Sequence, residues 1–133
     1  MLALVKPTEP APYDELETQE EVEAIMSPGG GAVVIDFWSP TCGPCLAMAQ
    51  DFTDVAEQFE RSEVRFCKLD TEAHPELAVP FKIRAVPTIL FVHDGKILDA
   101  AVGRLSAKAL GEKSEWLLGK AQRRPGLLRR LLG

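Results

Sequence analysis

The chain has 133 residues, 46% of them hydrophobic and 26% charged, enough for one ordinary globular core and too short for two. Its formal net charge of −5 argues against a general phosphate-binding role, which rests on clustered Lys and Arg, so no nucleic-acid partner is expected. No apolar run approaches the roughly 20 residues of a membrane span, and Lys6 and Pro7 interrupt the apolar start before a secretion signal can form. The expectation is a cytoplasmic chain with no transmembrane segment.

Residues 1–12, MLALVKPTEPAP, are rich in proline and resist regular structure, so they read as an N-terminal extension of a domain spanning 13–120. Thr18-Gln-Glu-Glu21 fits the capping box, which predicts a helix over 18–27 ended by Pro28 and the glycines that follow. AVVIDFW, Ala32 to Trp38, is β-branched and aromatic, the pattern of a central strand covered on both faces, with Asp36 as its one polar residue.

From Pro44 to Phe59, apolar residues recur at helical spacing and Pro44 suits a first helical turn. VRFCKLD, Val64 to Asp70, is a second buried strand, and a short helix around Pro75 to Val79 crosses back over the sheet. TILFVHDGKILDAAVG reads as two strands joined at Asp94-Gly95, and Ser106 caps a last helix through Lys120. A parallel βαβ unit followed by an antiparallel hairpin makes an α/β fold with a central mixed sheet flanked by helices on both faces. The remaining residues, 121–133, carry four arginines and no acid and read as a basic tail set off by Pro125-Gly126.

Three cysteines are too few, and odd in number, for a disulfide framework. Cys42 and Cys45 form a Cys-x-x-Cys pair where a strand hands over to a helix. Such a pair supplies half of a zinc site or cycles between dithiol and disulfide. Zinc needs two further ligands, and Cys67, His74 and His93 are not spaced to provide them, so no metal site is expected. At a helix N-terminus the free N–H groups and the helix dipole favour a thiolate on Cys42, while Cys45, one turn inside, is more shielded. Cys67 lies mid-strand and reads as a small buried hydrophobe; His74 and His93 receive no role.

FWSPTCGPC resembles the active site of the thioredoxin family, and the likeness continues through Lys68 in CKLD, IRAVPT at Ile83 to Thr88, the Asp-Gly hairpin and VGRLS at Val102 to Ser106. It covers residues 13–120. The resemblance implies the thioredoxin fold, with Pro87 in the cis form beside the thiols and the backbone of Val86 open to an incoming peptide. Without it, Pro87 reads as an ordinary strand-start proline.

The resemblance further implies a protein-disulfide reductase. Cys42 is its nucleophile, Cys45 its resolving thiol, and the substrate-binding surface comprises Trp38, Thr41, Gly43, Pro44, Ala85, Val86, Pro87 and Gly103. No cofactor is bound; reducing equivalents come from NADPH through a thioredoxin reductase, and the partners are that reductase and disulfide-containing proteins, met by a monomer. Asp36, on an apolar strand, is expected to be desolvated with a raised pKa, which suits a general base for Cys45. The alternative is an Asp facing solvent or satisfied by a hydroxyl. Lys68 matches the family lysine that tunes this acid, or else is a solvent-facing strand residue. Trp38 matches an aromatic beside the redox centre and serves equally as core.

Three positions depart from the family pattern. Thr41 stands where Trp is usual, Leu46 replaces a common Lys, and Gln50 replaces a proline that bends the helix in many members. The first two alter the cover and charge around Cys42, and with them partner choice and redox poise. Two other functions fit the fold: a thioredoxin-like clamp subunit without redox turnover, and a disulfide isomerase or oxidant.

Overall fold

The structure, a computed structural model, describes residues 10–123. Its sheet contains β1 (Asp14–Glu15), β2 (Ala32–Trp38), β3 (Val64–Asp70), β4 (Thr88–His93) and β5 (Lys96–Val102), in the order β1-β3-β2-β4-β5. β1, β3 and β2 run parallel, whereas β4 and β5 are antiparallel additions, so the expected parallel crossover and hairpin share one mixed sheet.

Alternation along the strands divides the core in two. Ala32 and Val34 of β2, Val64 and Phe66 of β3, and Ile89 and Phe91 of β4 face α2 (Gly43–Gln58) and α4 (Ala107–Gln122). Val33, Ile35, Cys67, Leu69, Leu90 and Val92 face α1 (Gln19–Ile25) and α3 (Pro75–Ala78). Because β2 is central and covered on both sides, its side chains from Ala32 to Phe37 are all buried, including Asp36.

The Thr18 capping box is formed, with Thr18 Oγ1 accepting from the N–H of Glu21 and the Glu21 carboxylate accepting from the N–H of Thr18. α1 stops at Ile25, short of the expected Ser27, because a residue before proline is pushed out of helical geometry and Ser27 precedes Pro28. α4 continues two residues past Lys120, to Gln122, since Ala121 still packs into the core. The rest of the basic tail, 124–133, and most of the N-terminal extension, 1–9, lie outside the described residues.

β1 has no counterpart in the sequence reading. It forms because the outer edge of β3 is free: the N–H of Leu16 donates to the carbonyl of Lys68 at 2.8 Å, and Arg65 Nε meets Asp14 Oδ2 at 2.8 Å. At the hairpin, Asp94 and Gly95 adopt φ of 49° and 79°, the paired left-handed values of a tight two-residue turn. A Cβ on Gly95 would lie 2.3 Å from the carbonyl oxygen of Met26, so α1 and the hairpin meet at a contact only glycine permits.

Candidate active site

β2 delivers the chain to a turn, Ser39 to Cys42, closed by the Cys42 N–H donating to the Ser39 carbonyl at 3.1 Å. Cys42 is the N-cap of α2 and Pro44 sits in its first turn, where a missing N–H costs nothing. Cys42 and Cys45 are joined as a disulfide, with their Cα atoms 5.3 Å apart. The two sulfurs are not equivalent: Cys42 is half-buried, whereas Cys45 is only 2% exposed. The N–H of Cys45 donates to Cys42 Sγ at 3.2 Å, so a cap donor and the positive end of the α2 dipole both point at the outer sulfur.

A second loop meets the first. The Val86–Pro87 peptide bond is cis, and the Val86 carbonyl oxygen lies 3.5 Å from Cys42 Sγ. Thr88 Oγ1 donates to the Ala85 carbonyl at 2.6 Å and the N–H of Gly103 to the Pro87 carbonyl at 2.9 Å, which fixes both ends of the loop. Thr41, Gly43 and Pro44 are exposed on either side of the half-buried Cys42, Ala85 is exposed next to Val86, Pro87 is buried, and a groove of about 340 Å³ is lined by Pro75, Val79, Ile83, Arg84, Ala85 and Val86. Leu46 is exposed, and α2 runs unbroken past Gln50, which bonds Asp54.

Beneath this surface, Asp36 is 1% exposed and its Oδ1 has no hydrogen-bond partner among the described residues. Its place in the strand alternation turns it toward α2, the helix that carries Cys45. Burial pushes its pKa from 3.8 up to about 7, and the Lys68 charge opposes that rise. Neither the solvent-facing nor the hydroxyl-satisfied alternative for Asp36 is found.

Lys68 is directly across from Asp36 in the β2–β3 register and is itself buried. Its Nζ lies 4.5 Å from the ring centroid of Trp38, 5.3 Å from Tyr13 and 5.8 Å from Phe52, three rings whose negative faces suit an ammonium group removed from water. Trp38 is therefore half-buried and linked to the acid through the lysine.

Cys67 falls on the opposite face of the sheet, fully buried, with its thiol pushed up to about 12 by desolvation. His74 precedes α3 and His93 ends β4. Among the described residues no group of three or more His, Cys, Asp or Glu is placed to hold a metal ion.

Ser39, Glu72 and Tyr13 carry no signal in the linear sequence. Ser39 and Thr41 both bond Glu72, which is more than thirty positions away in the chain, and Tyr13 belongs to a proline-rich stretch.

The thioredoxin family model matches residues 14–115. The chain belongs to the thioredoxin family. Its disulfide is accordingly the redox-active pair of a protein-disulfide oxidoreductase of thioredoxin type. The chloroplastic m-type thioredoxin of Pisum sativum is 35% identical over 83 residues, 62% of this chain and 48% of that protein, so the match takes in about half of the pea sequence. Thioredoxin of Chlorobaculum thiosulfatiphilum is 32% identical over 88 residues, 66% of this chain and 81% of that one. Among solved structures, chloroplastic thioredoxin z superposes with a TM-score of 0.69 at 26% identity, covering 80% of this chain and 95% of that one. Mitochondrial thioredoxin 3 from Saccharomyces cerevisiae gives 0.68 at 26% identity, covering 77% and 93%. No helix among the described residues is long and apolar enough to cross a membrane.

Proposed function

We propose that the chain reduces disulfides in other proteins, with Cys42 as nucleophile, Cys45 as resolving thiol, Asp36 as general base and Lys68 as the group that tunes it. The observation that carries this reading is the asymmetry of the pair. The outer sulfur is partly accessible and receives a backbone N–H at a helix N-terminus, while the inner one is buried on the side of the sheet that holds Asp36, whose Oδ1 has no hydrogen-bond partner among the described residues.

In the reduced form, the Cys42 thiolate attacks one sulfur of a target disulfide. A Cys42–target bond forms and the second target sulfur leaves as a thiolate. Asp36 takes the Cys45 proton, directly or through water, and the Cys45 thiolate attacks Cys42 Sγ. The Cys42–Cys45 disulfide forms, the first target sulfur leaves, and the target has gained two electrons and, on protonation, two protons. The Val86 backbone and the surface of Trp38, Thr41, Gly43, Pro44, Ala85 and Gly103 receive the target as an extended segment, while Pro87, which is buried, holds the Val86 backbone from beneath.

The domain spans residues 13–122, to the end of α4 and two residues past the boundary expected from the sequence, between an N-terminal extension and a basic tail, and works as a cytoplasmic monomer. The spent disulfide is restored by a thioredoxin reductase drawing on NADPH, and the chain itself holds no cofactor. The test is reduction of a disulfide-bonded protein such as insulin by the full chain with NADPH and a thioredoxin reductase. Turnover that vanishes in Cys42→Ser is expected. A wild-type chain that shows no turnover above background would favour a binding subunit. Equilibration of the pair against a glutathione buffer separates reductant from oxidant.

A further inference from the structure

Where the family usually carries a large aromatic before the first cysteine, this chain places Thr41 inside a hydroxyl–carboxylate clamp. Ser39 Oγ accepts the Thr41 N–H at 3.2 Å and donates its own proton to Glu72 Oε2. Thr41 Oγ1 donates to the same oxygen at 2.8 Å, and the two hydroxyls stand 3.0 Å apart. The Ser39 carbonyl meanwhile holds the N–H of Cys42.

Glu72 is fastened from behind as well. Its N–H and that of Ala73 donate to Asp70 Oδ1 at 2.9 and 3.0 Å, and both Thr71 N–H and Thr71 Oγ1 donate to the Trp38 carbonyl. The turn after β3 is thereby bolted to the turn after β2, with one carboxylate seated against the residue that precedes the nucleophile.

Resting on the disulfide-reductase reading above, we propose that Glu72 is a specificity-determining residue. Its carboxylate, held at the rim by Ser39 and Thr41, favours disulfides flanked by cationic groups and disfavours those flanked by acids. The two hydroxyl bonds hold the Glu72 carboxyl below its usual range, so it is charged at neutral pH, and its exposure leaves that charge visible to an incoming target. Arg84 lines the groove near Val86 and has the opposite charge, so the rim is polarised. Repulsion of the wrong partner is as effective a source of selectivity as attraction of the right one.

The experiment compares oxidation of the reduced full chain by two symmetric small disulfides, cystamine, a dication, and 3,3′-dithiodipropionate, a dianion. The quantity read is the ratio of their second-order rates. Comparing variants cancels the intrinsic reactivity of each compound, and Arg84 is common to all of them. Glu72→Gln keeps the shape of the side chain and removes the charge; the cystamine preference should fall about three- to tenfold, the range expected when one exposed charge stops attracting one ligand and repelling the other. Glu72→Lys should carry it further in the same direction, and raising the salt should compress the difference between wild type and Glu72→Gln. Glu112→Gln, the same charge change on exposed α4, should leave the ratio alone. A ratio unmoved by Glu72→Gln and Glu72→Lys, or moved equally by Glu112→Gln, overturns the assignment while the reductase reading stands. A reduced wild-type chain that neither compound oxidises overturns both.

Discussion

Asp36 and Lys68 stand opposite one another on the parallel strands β2 and β3, both buried, the acid with no hydrogen-bond partner for its Oδ1 among the described residues and the ammonium group ringed by Trp38, Tyr13 and Phe52. The lysine supplies a charge that partly offsets the desolvation of the acid, while the aromatic rings, rather than a carboxylate contact, accommodate its own head group. The acid is left about half ionised near pH 7, able both to take and to return a proton.

This arrangement links stability to pH. The folded pKa of Asp36, about 7, lies above its ordinary 3.8, so the native state binds the proton more tightly than the unfolded chain does. The resulting stabilisation is complete below 3.8 and is lost as pH rises toward 7, in total about 4 kcal/mol by the linkage of roughly 1.4 kcal/mol per unit. Asp36→Asn cannot titrate. Urea unfolding of the oxidised protein should show wild type losing ground to Asp36→Asn between about pH 4 and 7, and a constant difference across that window would contradict the raised pKa.

Lys68→Met should act on the same acid in the direction fixed by charge. Removing the cation takes away the influence that lowers the Asp36 pKa, so it rises further and less carboxylate is present at neutral pH. Each unit of rise cuts that fraction about tenfold well below the pKa, and release of the mixed disulfide should slow at pH 7 and recover at higher pH. Met retains contact with the three rings, which separates the electrostatic effect from unfolding. The pH profile of target release in single-turnover reduction is the measurement; an unshifted limb would remove Lys68 from the chemistry.

What the sequence reveals of this site is what local pattern encodes. The run from Ala32 to Trp38, Pro44 in a first turn and Asp94-Gly95 between two strands each declare their structure within a few residues, and the strand-to-helix position of Cys42 follows from them. β1 is hidden because two exposed residues in a proline- and acid-rich stretch show no alternation; only the open edge of β3 makes them a strand. Lys68 is singled out by the family resemblance and not by local pattern, which leaves its burial open, since lysine is ordinarily exposed and its three rings come from separate parts of the chain. Glu72 reaches Ser39 only through the parallel alignment of β2 and β3, a long-range relation with no periodic signature.

Gly95→Ala tests the packing of the hairpin on α1. The substitution places a Cβ 2.3 Å from the Met26 carbonyl oxygen at a φ of 79°, so backbone must shift in addition to the cost of a left-handed alanine. A loss of about 1–3 kcal/mol in chemical denaturation is expected, with the midpoint displaced and active-site kinetics retained. A variant as stable as wild type would show that α1 and the hairpin are not in contact.

Cys67 should be silent. Its thiol is fully buried among Val33, Ile35 and Leu69 and its pKa is about 12, so essentially no thiolate forms near neutral pH. In a Cys42→Ser/Cys45→Ser double variant, a thiol-disulfide reagent should find no reactive sulfur in the native state and one after unfolding in denaturant. Rapid labelling of the folded variant would show that this face of the sheet opens.

The two active-site sulfurs should divide their work. After reduction, the half-buried Cys42 retains the Cys45 N–H and the α2 dipole as partners for its negative charge, whereas Cys45, 2% exposed, has the deeper position. A target disulfide can therefore reach Cys42 first, and release requires Cys45 to attack from inside. In Cys45→Ser the second attack is impossible, so target proteins should accumulate as mixed disulfides on Cys42, detectable as reducible adducts by mass spectrometry. Alkylation of the reduced wild-type chain near neutral pH should likewise modify Cys42 before Cys45. Adducts that form on Cys45 in Cys42→Ser and are missing from Cys45→Ser would reverse the two roles, because the buried sulfur would then have to be the one that meets the target.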